Sequence, residues 1–154
     1  MYDLNRRFEN REVCQLTGVK QRELIHWSER GLIGPLADPN GAGTRRKYLL
    51  KHVLQVALLV ELRRYGIGRS QLSAWEKQAP REFDRIYTDA ANAGGENEGV
   101  PSWLSIYPAT DGTLHVHWDY TADALGAEYS GVSSAFVINL QVLRQSILEK
   151  IRTL

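Results

Sequence analysis

Residues 18–35 read GVKQRELIHWSERGLIGP, and the spacing of polar, apolar and glycine residues in this stretch decides how the first half of the chain folds. Lys20 to Arg30 carry a helical pattern: Leu24 and Trp27 stand three apart, Ile25 sits beside Leu24, and together they supply an apolar side. The leading edge, Lys20-Gln21-Arg22, is cationic and polar, and Gly31 stops the helix ahead of Leu32-Ile33. A second helix is expected just upstream, from Asn10 to Leu16, with Asn10 as N-cap and Val13, Cys14 and Leu16 as its buried residues. Thr17-Gly18-Val19 is the short turn between them, where glycine takes backbone angles that other residues avoid. Two helices joined in this way present the second to a DNA major groove, with its first residues aimed at base edges. Lys20, Gln21 and Arg22 hold those positions.

A wing is expected next. Pro39-Asn40-Gly41-Ala42-Gly43 suits a hairpin tip, and the basic run Arg45-Arg46-Lys47 follows it directly. A short charge run is often only a solvated loop, but its place after a recognition-type helix favours contact with the DNA backbone or minor groove. Tyr48 is expected to brace the wing and to offer its hydroxyl to a phosphate. Arg6, Arg7 and Arg69 are further cations whose direction the sequence leaves open.

In this order and spacing the motifs resemble the MerR family of winged helix-turn-helix transcription regulators. The resemblance rests on Gly18-Val19, Arg22, Leu24, Trp27, Gly31-Leu32-Ile33 and Pro35, then on Arg46-Lys47-Tyr48 at the end of the wing and on Leu50-Lys51-His52-Val53 opening the next helix. GIGRSQL, Gly66 to Leu72, is similar to the family's link into a further helix, so the likeness spans roughly residues 8 to 78. It implies DNA contact by Lys20, Gln21, Arg22 and His26 on the recognition helix and by Arg45, Arg46, Lys47 and Tyr48 on the wing. It also implies a homodimer on a palindromic promoter element, activation by twisting and bending the duplex, and contact with RNA polymerase. Two departures stand out. The acidic residue usual before the helix after the wing is replaced within Leu50-Lys51-His52-Val53. Many relatives carry Leu-Arg-Tyr-Tyr-Glu where this chain has Leu24-Ile25-His26-Trp27-Ser28, which leaves His26 either a phosphate donor or a partly buried ring.

Charge supports the same division without any family. Residues 1–80 hold 14 Lys and Arg against 8 Asp and Glu, a net of +6, whereas residues 81–154 hold 5 against 10, a net of −5. The basic half can release counterions from a duplex; the acidic half is repelled by it. The reversal near Pro80 predicts two domains, a winged helix-turn-helix at 1–79 and a small α/β effector or dimerisation domain at 80–154, and an α+β chain overall.

Within the first domain, Leu50 to Tyr65 repeats Val53, Leu54, Ala57, Leu58, Val60 and Leu62 as a core helix that Gly66 ends. In the second, Phe83, Ile86, Tyr87 and Ala90 mark a short amphipathic helix after Pro80, and residues 93–99 read as loop. Ser102 to Tyr107 and Thr113 to Trp118 alternate as strands around Asp111-Gly112, a hairpin signal; Ser134 to Ile138 reads as a further strand. Asn139 caps a last helix from about Leu140 to Arg152, whose Leu140, Leu143, Ile147, Leu148, Ile151 and Leu154 either pack on the hairpin or share in a dimer interface. A twofold pair is expected on physical grounds as well, because one small module reads few base pairs.

Several classes of function are set aside. The single cysteine, Cys14, lies on the apolar side of its helix, so the multiple thiolates of a metal or redox sensor are absent. His115, His117 and Asp119 share one parity on a strand, but paired histidines there more often face solvent or hydrogen-bond, and neither a metal nor a cofactor is expected. No phosphate loop or catalytic arrangement appears, so the protein reads as a non-enzyme. Trp103, Tyr107 and Trp118 are either the core of the small domain or the lining of a small-molecule effector site. Val53 to Leu62, the most apolar run, is too short to cross a bilayer, and Met1 to Glu9 is too polar for a signal peptide. With a single cysteine the expectation is a cytoplasmic protein. The leading reading is a sequence-specific, dimeric regulator of transcription. The alternative is an architectural or adaptor DNA binder, similar to excisionase-type winged helices, whose second half recruits a protein partner.

Overall fold

A computed structural model describes residues 5–34, 36, 46–68, 103–108, 114–119 and 135–154. The chain divides into two compact units, Met1–Gly66 together with Ser146–Leu154, and Ile67–Gln145. It is an α+β protein: helices and a two-stranded ribbon at the N-terminus, a three-stranded sheet further on, and a C-terminal helix.

The first unit holds β1 (Phe8–Glu9), α1 (Asn10–Thr17), α2 (Gln21–Glu29), β2 (Lys47–Tyr48) and α3 (Leu50–Arg64), and takes in the C-terminal segment Ser146–Leu154. The N-cap of α1 is Glu9, one residue earlier than the capping preference of Asn10 suggests, because Glu12 reaches back to accept the Glu9 amide at 2.8 Å and holds the entry there. Gly18 ends α1 at φ 76°, in the left-handed region that costs glycine least, and its amide closes on the Cys14 carbonyl at 2.9 Å. Thr17 ties the turn further: its hydroxyl donates to the Val13 carbonyl and accepts the Val19 amide.

Helix α2 ends in a Schellman motif. Gly31, at φ 71°, donates to Ser28, and Leu32 donates back to Trp27 at 3.0 Å, so the last carbonyls are satisfied and the chain is turned inward to bury Ile33. Helix α3 supplies most of the core, with Val53, Leu54, Val56, Ala57, Leu58 and Leu62 buried; Val60 is only half-buried. His52 is buried too, and its Nδ1 accepts the Leu49 amide at 3.0 Å, doing the work of the acidic residue usual at such a helix start. Cys14 is half-buried rather than part of the dry core, since Val13 and Leu16 take the inward positions of a helix only two turns long.

β1 and β2 pair antiparallel, Phe8 opposite Tyr48 and Glu9 opposite Lys47, and Leu36 bridges Lys47 from the other side. The base of the wing is therefore a ribbon, and the expected tip, Pro39 to Gly43, and Arg45 lie outside the described residues.

In the second unit β3 (Trp103–Pro108) is central, flanked antiparallel by β4 (Leu114–Asp119) and β5 (Phe136–Asn139). The register sorts the faces. Leu104 and Ile106 share one side with Trp118 and Ile138, an apolar face; Trp103, Ser105 and Tyr107 share the other with His115, His117 and Asp119. Helix α4 (Leu140–Arg152) follows β5 directly, its first turn capped by Asn139, whose side-chain oxygen accepts the Val142 amide at 3.0 Å. Leu140, Ile147 and Ile151 are buried along it; Val142 and Leu154 are exposed. The expected amphipathic helix at 83–90 and most of the 66–72 link lie outside the described residues.

Two substitutions separate packing from polar ties in the first unit. Leu24→Ala is expected to lower unfolding free energy by about 2–5 kcal/mol, the cost of emptying a fully buried site, whereas Tyr48→Phe removes one hydroxyl contact and costs ~0.5–1.5 kcal/mol. Urea titrations followed by circular dichroism measure both.

Candidate nucleic-acid interface

A helix as short as α2 has little stability of its own in water, so its direction is set by what it touches. Leu24 is fully buried and anchors the inner side. Lys20, as N-cap, then Gln21 and Arg22, are solvent-exposed at the helix N-terminus, with Arg22 on the side opposite Leu24. Neither Lys20 nor Arg22 is ion-paired among the described residues. His26 is exposed, not a partly buried ring.

Acidic side chains on this helix are neutralised by bases from neighbouring elements. Glu23, next to Arg22, pairs with Arg63 of α3. Glu29, in the last turn, pairs with Arg46 at 3.5 Å, and the same guanidinium donates to the Ile25 carbonyl at 3.3 Å. Arg46, expected to contact the DNA backbone or minor groove, here has its guanidinium beside the carboxylate and carbonyl of the C-terminal half of α2. Lys47 is held in the same way by Glu9, its neighbour across the β1/β2 ribbon, at 2.6 Å.

Tyr48 does brace the wing, but from inside. It is fully buried, with its hydroxyl 3.2 Å from Ser28 Oγ on α2, and burial pushes its pKa up. A hydroxyl in that place is not presented to a phosphate, because the ring fills the core between the ribbon and the helices. Sequence reasoning placed Ser28 only as a departure from the family pattern, yet it is the partner that completes this contact, and it also donates to the Leu24 carbonyl at 2.9 Å. Among the outlying cations, Arg6 is spent on Glu12 at 3.1 Å and lies over the Phe8 ring, Arg7 is exposed, and Arg69 is outside the described residues.

The helix-turn-helix, its exposed polar leading edge and the ribbon beside it are those of a known family of regulators: residues 10–78 match the model of the MerR HTH family regulatory proteins. Residues 10–78 are a MerR-type regulatory helix-turn-helix segment. No curated protein matches the chain as a whole. A MerR segment supports a DNA-binding regulator of transcription. No helix among the described residues is long and apolar enough to cross a membrane.

Outside the MerR domain, the three aromatics considered for an effector site do not line one surface. Trp103 and Tyr107 share the polar face of the sheet, while Trp118 projects from the apolar face, because it pairs with Leu104 across the strands. On the polar face Tyr107 stacks on His115, with ring centroids 5.6 Å apart. Beside them Asp119 is buried and accepts the Ser105 hydroxyl at 2.7 Å, and His117 Nε2 lies 3.2 Å from its other oxygen. The two histidines are thus occupied by an aromatic ring and a carboxylate. Among the described residues no three His, Cys, Asp or Glu side chains are grouped to hold a metal ion.

Burial raises the pKa of the Cys14 thiol above its ordinary value, so at neutral pH it stays protonated and nucleophilically weak. The native protein is therefore expected to react with a disulfide reagent such as DTNB several-fold more slowly than the same chain in urea at the same pH; equal rates would contradict a shielded thiol.

Proposed function

We propose that the protein regulates transcription as a homodimer that binds a palindromic promoter site, with Lys20, Gln21 and Arg22 of each protomer reading base edges in the major groove. The observation that carries this reading is the placement of those three side chains, exposed at the N-terminus of a helix whose other side is pinned by Leu24 and by the Ser28–Tyr48 contact. Arginine is suited to a bidentate contact with guanine, and glutamine to one with adenine. The exposed ring of His26, one turn further along, stands with the phosphate contacts. Arg45 and the rest of the wing tip touch the backbone or minor groove, while Arg46 and Tyr48 hold the wing's base to α2, Lys47 ties it to β1, and the three serve the interface by keeping it in shape.

The functional division follows the charge: a basic reading domain at 1–79 and an acidic domain at 80–154 that carries dimerisation or effector response, with the Trp103 and Tyr107 side of its sheet as the place for a small-molecule effector. At the promoter the dimer acts on RNA polymerase through the shape of the duplex between the polymerase recognition elements. The setting is the cytoplasm.

Selecting bound duplexes from a random pool with purified protein tests the reading directly. A recovered inverted repeat, with half-sites separated by whole turns of the double helix, is the expected result; a single unrepeated site or no enrichment would overturn it. On the recovered site, Arg22→Ala is expected to weaken binding by ~1–3 kcal/mol and to relax preference at one base position. Transcription from a promoter carrying the site should change with added protein; bending of the duplex with no change in transcript would favour the architectural alternative.

A further inference from the structure

We propose that Lys150, in the last turn of α4, is a positioning residue for the recognition helix: it holds the end of α1 and with it the turn that aims Lys20, Gln21 and Arg22. The proposal rests on the DNA-reading function above and assigns part of it to the opposite end of the chain.

The last carbonyls of any helix lack partners within the helix. In α1 the Cys14 carbonyl is taken by Gly18 and the Val13 carbonyl by the Thr17 hydroxyl. The carbonyl of Leu16, one residue before the helix ends, receives the Lys150 ammonium at 3.2 Å, across 134 positions of sequence. A cation at this end of a helix also meets the negative pole of its dipole. The contact joins two elements whose apolar side chains are buried. Leu16 is fully buried, and Lys150, itself exposed, follows the buried Ile147 by three positions and precedes the buried Ile151 on the same helix. The segment Ser146–Leu154 belongs to the same compact unit as α1 and α2, although it lies outside the 10–78 stretch that matches the MerR family.

Geometry makes this contact more than a surface tie. Only Thr17, Gly18 and Val19 separate Leu16 from Lys20, so a shift at the end of α1 passes into the start of α2 with little chain to absorb it. Side chains that read base edges have to be held within about half an ångström of their working positions. Lys150 therefore influences selectivity without touching DNA.

Two variants and two measurements test this. Lys150→Met keeps the aliphatic stem and loses the donor; Lys150→Arg keeps a donor. Amide hydrogen exchange in the free protein is expected to quicken about three- to tenfold over residues 17–24 in K150M, the factor a modest hydrogen bond is worth. The ratio of affinities for the selected duplex and a scrambled one should fall by a similar factor, with the dependence of binding on salt unchanged, and K150R should restore both. Unchanged exchange in K150M would overturn the proposal. So would an equal loss of affinity for every duplex with a flatter salt dependence, since that is the behaviour of a phosphate contact. Should K150M fail to fold, the same two readings on K150Q decide. If the wild-type protein fails to discriminate between duplexes, the DNA-reading function fails, while the exchange measurement still judges Lys150.

Discussion

The structure of the reading head depends on the complete burial of one side chain, Leu24, in a helix that buries no other residue as deeply. A helix this short cannot hold itself, so every tie that fixes its rotation about Leu24 also fixes which residues face the solvent. Those ties come from three directions: Arg63 to Glu23 from α3, Tyr48 to Ser28 from the ribbon, and Arg46 to the Ile25 carbonyl and Glu29 from the base of the wing. What they leave outside is Lys20, Gln21 and Arg22.

The same ties account for the electrostatics. A helix that approaches a polyanion gains from positive charge at its leading edge and loses from uncompensated acids. Glu23 and Glu29 are both compensated within the protein, by Arg63 and Arg46, so neither leaves an unpaired negative charge on this helix. Arg46 and Lys47 illustrate how a basic run divides its labour: a residue at the base of a ribbon meets the protein's own carboxylates before it can meet a phosphate. Partly exposed pairs of this sort contribute modestly to stability, and their larger effect is on orientation.

Much of the N-terminal half was legible in the residues themselves. Leucine spacing, the glycines at the ends of α1 and α2 and the polar edge between them mark two helices and a turn, because helix ends and left-handed positions are local features that a few neighbouring residues decide. The end of α3 at Gly66 and the cap of α4 at Asn139 were readable for the same reason. Less was legible where a side chain's role depends on a distant partner. Asn10 has the chemistry of a cap, yet Glu9 holds the position through Glu12. Trp118 has the chemistry of a ligand aromatic, yet the strand register turns it to the apolar side.

By itself, then, the order of residues determined a MerR-type head with a cationic, polar leading edge, and a sheet-forming second half of opposite charge, because periodicity, glycine placement and net charge need no knowledge of what lies across the fold. Only the tertiary structure decided that Tyr48 is a buried brace, that Arg46 and Lys47 are held by carboxylates, that β3 rather than β4 is the middle strand, and that Lys150 meets the end of α1. The side-chain contacts among these outcomes join residues 17 to 134 positions apart, and a contact at such a separation is set by the packing of whole elements, which local sequence does not encode.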